Sequence, residues 1–82
     1  MDGYNEKEYD LFALKIGLKV SYYRKLTGIT QEELSTICGR SLNFVSTLEA
    51  PSICYTPSLK SLYKIGKALG VPVSKLVEVD ND

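Results

Sequence analysis

Residues 30–49 read TQEELSTICGRSLNFVSTLE, and this stretch decides the fold. Thr30 suits a helix N-cap, and Glu33 three residues on completes a T-x-x-E capping box. Leu34, Ile37 and Cys38 then fall at i, i+3 and i+4, one apolar face of a helix of about two turns. Gly39 follows, the residue type best able to take the left-handed conformation that ends a helix. Ser41 can cap a second helix, in which Val45 and Leu48 face inward three residues apart. Leu42, Asn43, Ser46 and Thr47 are left pointing largely outward. Two short helices joined by a tight corner, with small polar and methyl-bearing side chains on the free face of the second, suit the reading of base edges in a major groove.

Outward from this pair the pattern is helical, apart from frayed residues 1–6 and a loop at 51–56. Tyr9, Phe12, Ala13, Ile16, Val20, Tyr23 and Leu26 (or Thr27) recur at three- and four-residue steps, which predicts a first helix from about Glu8 to Leu26. Gly28 closes it, with Arg24 and Lys25 in the last turn, where positive charge suits the helix dipole. The second helix spans about Gln31–Cys38 and the third about Leu42–Ala50, because Pro51 disfavours helical geometry at the residue before it. Thr56-Pro57 reads as an N-cap with proline at the first helical position. The helix that follows runs to about Leu69, with Leu59, Leu62, Ile65, Gly66 and Leu69 inward. Gly70 stops it, and Pro72 introduces a short fifth helix over about Val73–Val77. No segment has the alternation of a strand or the turns of a hairpin, so the expected class is all-α. Residues 1–82 make one small domain, with a core over about 9–78 and acidic ends at 1–8 and 79–82, near the lower size limit for a core without staples.

The same stretches resemble the Cro and phage-repressor-like (XRE) helix-turn-helix family. Its members run as R-x-x-x-G-[IL]-[ST]-Q, E-E-L-A, a turn, a helix ending I-x-x-x-E, a loop, and P-S-L-x-x-L-x-K-I-A-K-A-L-G-V. This chain has Arg24, Gly28, Ile29, Thr30 and Gln31, then Glu32-Glu33-Leu34-Ser35, Val45, Leu48 and Glu49. It continues as PSLKSLYKIGKALGV over residues 57–71. The match covers about 16–77, with the motifs in order. The resemblance implies a five-helix lambda-repressor-like fold and a sequence-specific transcriptional regulator, a repressor that binds double-stranded DNA as a homodimer on a pseudo-palindrome. The chain departs from the pattern in a longer loop between Glu49 and Pro57, with Pro51 where glycine is usual and no Lys or Arg. Ser35 and Gly66 stand where alanine is common.

Site residues follow from the motif and from side-chain chemistry. The resemblance gives Gln31 a phosphate, helped by backbone N–H groups at a helix start. Asn43 is the candidate base reader, because its amide can make a bidentate contact to adenine N6 and N7; support of the cap is its other reading. Leu42 can meet thymine methyls or sugars, and Thr47 offers a hydroxyl or a methyl one turn from Asn43. Ser41 is both cap and contact, Arg40 can reach a phosphate or a guanine, and Ser46 lies at the groove's edge. From the far side, Ser52, Tyr55, Thr56, Ser58 and Lys60 are the expected phosphate contacts. Phe44 reads either as core over the second helix or as part of a protein-binding surface. By the resemblance Arg24 and Glu49 pair and tie the first helix to the third. The dimer is expected through Val71, Val73, Leu76, Val77 and Val79, with the first helix (Tyr4, Tyr9, Phe12) as the competing interface.

Composition bounds the alternatives. Net charge is zero, yet residues 11–75 hold nine basic against three acidic residues, a net of +6, while 1–10 and 76–82 each carry −3. A basic body with acidic ends fits a phosphate-facing domain, although a solvated surface tolerates the same pattern. There is no histidine, no metal-ligand cluster, no Gly-rich phosphate loop and no nucleophile beside a base, so neither catalysis nor a cofactor is expected. No run approaches the ~18 apolar residues of a membrane span, and no secretory signal is seen. Cys38 and Cys54 read as free thiols in a reducing cytoplasm, with a thiol switch through Cys54, in a loop, as the minor alternative. The alternative of another class is a protein-interaction module on the same scaffold, an antirepressor or adaptor with an unidentified protein partner. Leu42, Phe44 and the uncharged loop favour it.

Overall fold

Small polar caps, glycines and prolines mark the helix boundaries of this chain, and in the computed structural model, which describes residues 3–52 and 54–78, they delimit five helices. These are α1 (Glu6–Thr27), α2 (Gln31–Cys38), α3 (Leu42–Glu49), α4 (Leu59–Leu69) and α5 (Val73–Val77). The protein is all-α among the described residues, and no described helix is long and apolar enough to cross a membrane. Helix α1 begins two residues before the expected Glu8, because the Asn5 side chain accepts from the N–H groups of Lys7 and Glu8. The Thr30–Glu33 capping box is formed in both directions, and Gly28 and Gly39 end α1 and α2 at φ +85° and +69°. Helix α3 stops at Glu49 rather than Ala50. Ala50 is extended (φ −68°, ψ 124°), the geometry that the following proline favours.

The start of α4 differs from its expected form. Ser58 is the cap, its side chain accepting from the N–H of Ser61, and Thr56-Pro57 lies outside the helix. Thr56 is engaged elsewhere: its hydroxyl is 2.8 Å from that of Tyr9, which fastens the loop to the start of α1. Leu59 thereby sits in the first turn and is exposed, not inward. Ile37 is also exposed, because Ser35 takes the inward place beside Leu34 and Cys38 and turns the buried face of α2 away from it. The Ser35 hydroxyl is satisfied by donating to the Glu32 carbonyl at 2.7 Å. Leu26 points out as well, since the inward face of α1 runs through Ala13, Ile16, Gly17, Val20 and Arg24.

The core gathers Val20 from α1, Leu34 from α2, Val45 from α3, Ile65 from α4 and Leu76 from α5, all fully buried. Leu76 is 0% exposed within its own subunit and so offers no surface to a partner, which corrects its place in the expected dimer interface. Val71, Val73 and Val77 are half-buried and pack against the same core; Val79 lies outside the described residues. Tyr9 and Phe12 of the competing interface are half-buried too, and Phe12 packs on the core.

Two glycines permit close approach. A Cβ on Gly17 would overlap the carbonyl oxygen of Leu48, so α1 and α3 meet backbone to backbone there. A Cβ on Gly66 would lie 2.6 Å from the Val71 carbonyl oxygen, which explains why this chain lacks alanine at that position. Of the two free cysteines, Cys38 is buried and Cys54 exposed. Burial pushes the Cys38 thiol pKa up, although Lys64 and Arg40 pull it back. Iodoacetamide should therefore alkylate Cys54 of the folded protein at least ~10-fold faster than Cys38, since the thiolate is the nucleophile. Peptide mass mapping checks this, and equal labelling would contradict the burial.

Candidate nucleic-acid interface

Helix α3 carries the candidate reading face, and its orientation follows from what it buries. Val45 and Leu48 insert into the core at 0% and 2% exposure. Ser41 caps the helix by accepting from the Phe44 N–H at 3.1 Å. Capping is thus done by Ser41, and Asn43 stands exposed in the first turn. Leu42 is exposed, and Ser46 and Thr47 are half-exposed. The Ser46 hydroxyl donates back to the Asn43 carbonyl at 3.2 Å.

Arg40, Ser41, Asn43, Thr47 and Tyr55, with an edge of Phe44, line one shallow hollow of about 250 Å³. Phe44 is otherwise buried in the core cluster, with Tyr55 edge-on to its ring at 5.9 Å and 85°. That leaves Phe44 little surface for a protein partner. Arg40 is held across the hollow's rim. Its guanidinium stacks 3.9 Å from the Phe44 centroid, and Nη1 donates to Ser61 Oγ at 2.5 Å. Ser61 in turn accepts from the capping Ser58 hydroxyl at 3.0 Å. The turn between α2 and α3 is thereby tied to the first turn of α4. Ser52, Thr56, Ser58 and Lys60 are all exposed, but Thr56 and Ser58 are also committed to Tyr9 and to the α4 cap.

The far end of α3 is fixed by a buried carboxylate. Glu49 accepts from Arg24 Nε at 2.8 Å and Nη2 at 3.0 Å, a two-point geometry stronger than a single contact. Gln31 Nε2 donates to the same carboxylate at 3.0 Å, and Arg24 Nη1 donates to the Ile29 carbonyl at 2.7 Å. The Arg24 and Glu49 side chains are only 10% and 4% exposed. The Glu49 hydrogen bonds hold the Arg24 guanidinium pKa above its already high ordinary value, against the opposing effect of burial. One anion thus joins the end of α1, the start of α2 and the end of α3. Sequence reasoning did not place Gln31 in this cluster: it is 18 residues from Glu49, and no local pattern reports such a meeting.

No family model matches the chain. An uncharacterized HTH-type transcriptional regulator of Methanocaldococcus jannaschii is 36% identical to it over 64 residues, 78% of this chain and 94% of that protein. Two short helices at a tight glycine corner, a second helix clamped at both ends with its polar face free, and this similarity over nearly the whole of the relative converge on one assignment: the chain belongs to the HTH-type transcriptional regulators.

Proposed function

We propose that the protein is a sequence-specific DNA-binding regulator of the Cro and phage-repressor (XRE) type, a cytoplasmic repressor that occupies a pseudo-palindromic operator as a homodimer. The observation that carries this reading is the disposition of α3. Its apolar side is spent on the core, while Asn43, Leu42, Ser46 and Thr47 stand free beside the hollow that Arg40 and Tyr55 border. Asn43 reads an adenine edge, Leu42 and Thr47 meet thymine methyls, and Ser41 and Ser46 flank them. Arg40 and Gln31 are already engaged inside the protein, so their part is first to set the attitude of α3. Their remaining donors, with Ser52, Thr56, Ser58 and Lys60, meet phosphates. Few cations lie on this side, so a single copy binds weakly and two copies supply useful affinity.

Selection of bound sequences from a random DNA pool tests the reading, with a two-fold symmetric motif as the expected outcome. On that motif Asn43→Ala should cost ~1–3 kcal/mol and relax the preference at one base pair. Affinity should also fall steeply with salt, as counterion release requires. An Asn43→Ala protein that keeps its fold, its affinity and its preference would sink the assignment. It would leave the interaction module, for which exposed Leu42 is then the remaining contact.

A further inference from the structure

Helix α1 is 22 residues long, about 33 Å at 1.5 Å per residue, and it is apolar on two opposite sides. One side, Ala13–Ile16–Gly17–Val20–Arg24, is buried against the rest of the domain. On the other, Leu11, Leu18 and Tyr22 are 51%, 46% and 59% exposed, at steps of seven and four that keep them in line along the helix. Leu14, half-exposed, lies beside them. A surface helix of a lone subunit turns its charged residues to that side; an apolar line there marks a contact surface.

Charge along the same helix says what covers it. The first turns of α1 carry Glu6, Glu8 and Asp10 against Lys7, whereas from residue 15 to its end the helix carries Lys15, Lys19, Arg24 and Lys25 with no acid. Two such helices laid antiparallel set the acidic start of each against the basic end of the other; laid parallel, like meets like. An antiparallel pair about a two-fold axis is also the arrangement that a self-complementary patch generates. Among the described residues, Glu8 and Lys25 have no ion pair within the subunit. We infer that the outer face of α1 is the dimerisation surface, and that its occupant is α1 of a second copy running antiparallel, with Leu11 near the partner copy's Tyr22 and Leu18 near the axis. This face is separate from the α3 reading face, because α1 meets α3 through Gly17 and Leu48 on its opposite side. The inference therefore stands or falls without DNA.

Sedimentation equilibrium of the full chain, without DNA, over a concentration series tests it. The parent should dimerise, and Leu18→Glu should raise the dimer dissociation constant at least ~30-fold by placing an unpaired carboxylate in an apolar contact. Leu11→Glu, at the other end of the line, should weaken the dimer as well and guards against a folding defect particular to Leu18. Lys25→Glu alone should weaken it several-fold, and Glu8→Lys in the same chain should restore it. A parent that stays monomeric at high concentration overturns the inference. So does a dimer that both leucine variants leave intact, and failure of the charge swap to restore association overturns the antiparallel arrangement.

Discussion

Replacing Glu49 with alanine should destabilise the domain by ~3–5 kcal/mol, the cost of leaving a buried charge without its partner. The change deletes three hydrogen bonds at once and leaves the Arg24 guanidinium, in a side chain 10% exposed, with the Ile29 carbonyl alone. A domain of this size has little to lose, since small globular proteins are stable by only ~5–15 kcal/mol in all. Chemical denaturation measures the loss, and a drop below ~1 kcal/mol would show that the cluster is not the linchpin its burial implies. Replacing both charges, Arg24→Met with Glu49→Leu, should cost less than either single change. The pair's Coulomb attraction largely offsets desolvation, and an apolar pair of similar volume avoids both.

For Gly17→Ala the sign itself is the test. Helix propensity alone says that alanine stabilises a helix interior by ~1 kcal/mol over glycine. In this fold the new methyl group would meet the Leu48 carbonyl oxygen, a backbone atom that cannot rotate aside as a side chain can. Helices α1 and α3 must then separate, and overpacking of this kind costs ~1–3 kcal/mol or more. The expected result is a net loss of stability together with weaker DNA binding, because α3 shifts with its carbonyl. A Gly17→Ala protein as stable as the parent would refute the close approach. Gly66→Ala, with 2.6 Å to the Val71 oxygen, should show a smaller loss in the same experiment.

What the sequence made legible was local. Thr30 with Glu33, Ser41, Gly28, Gly39 and Gly70 mark helix ends through bonds to residues within a turn, so α2, α3 and α5 stand close to their expected bounds. What it hid was long-range. Thr56-Pro57 and Ser58 are both good local starts for α4, and the partner that Thr56 meets outside the helix is Tyr9, 47 residues away. Ile37 and Leu59 satisfy helical spacing, but spacing does not say where a buried face is centred; the inward Ser35 decides that for α2. Gly17 is silent in the sequence, where it reads only as a weak residue in a helix. Its purpose is visible once α3 lies across it. Similarly, the exposed polar face of α3 was evident from its own pattern, whereas the engagement of Arg40 with Phe44 and Ser61, and of Gln31 with Glu49, depends on how α2, α3 and α4 come together.

Eight residues are too few for α3 to persist as a helix by itself, since isolated helices shorter than ~12–15 residues are marginal in water. Its order is borrowed from Glu49 at one end and from Arg40, Phe44 and the Ser41 cap at the other. Melting α3 alone would expose Val45 and Leu48 and break the Glu49 cluster, which ties its unfolding to that of the domain. The amides of α3 should therefore exchange with solvent deuterium only when the whole domain opens. A ligand meeting such a helix has little ordering entropy to supply, and more of its contact energy remains for telling one partner from another.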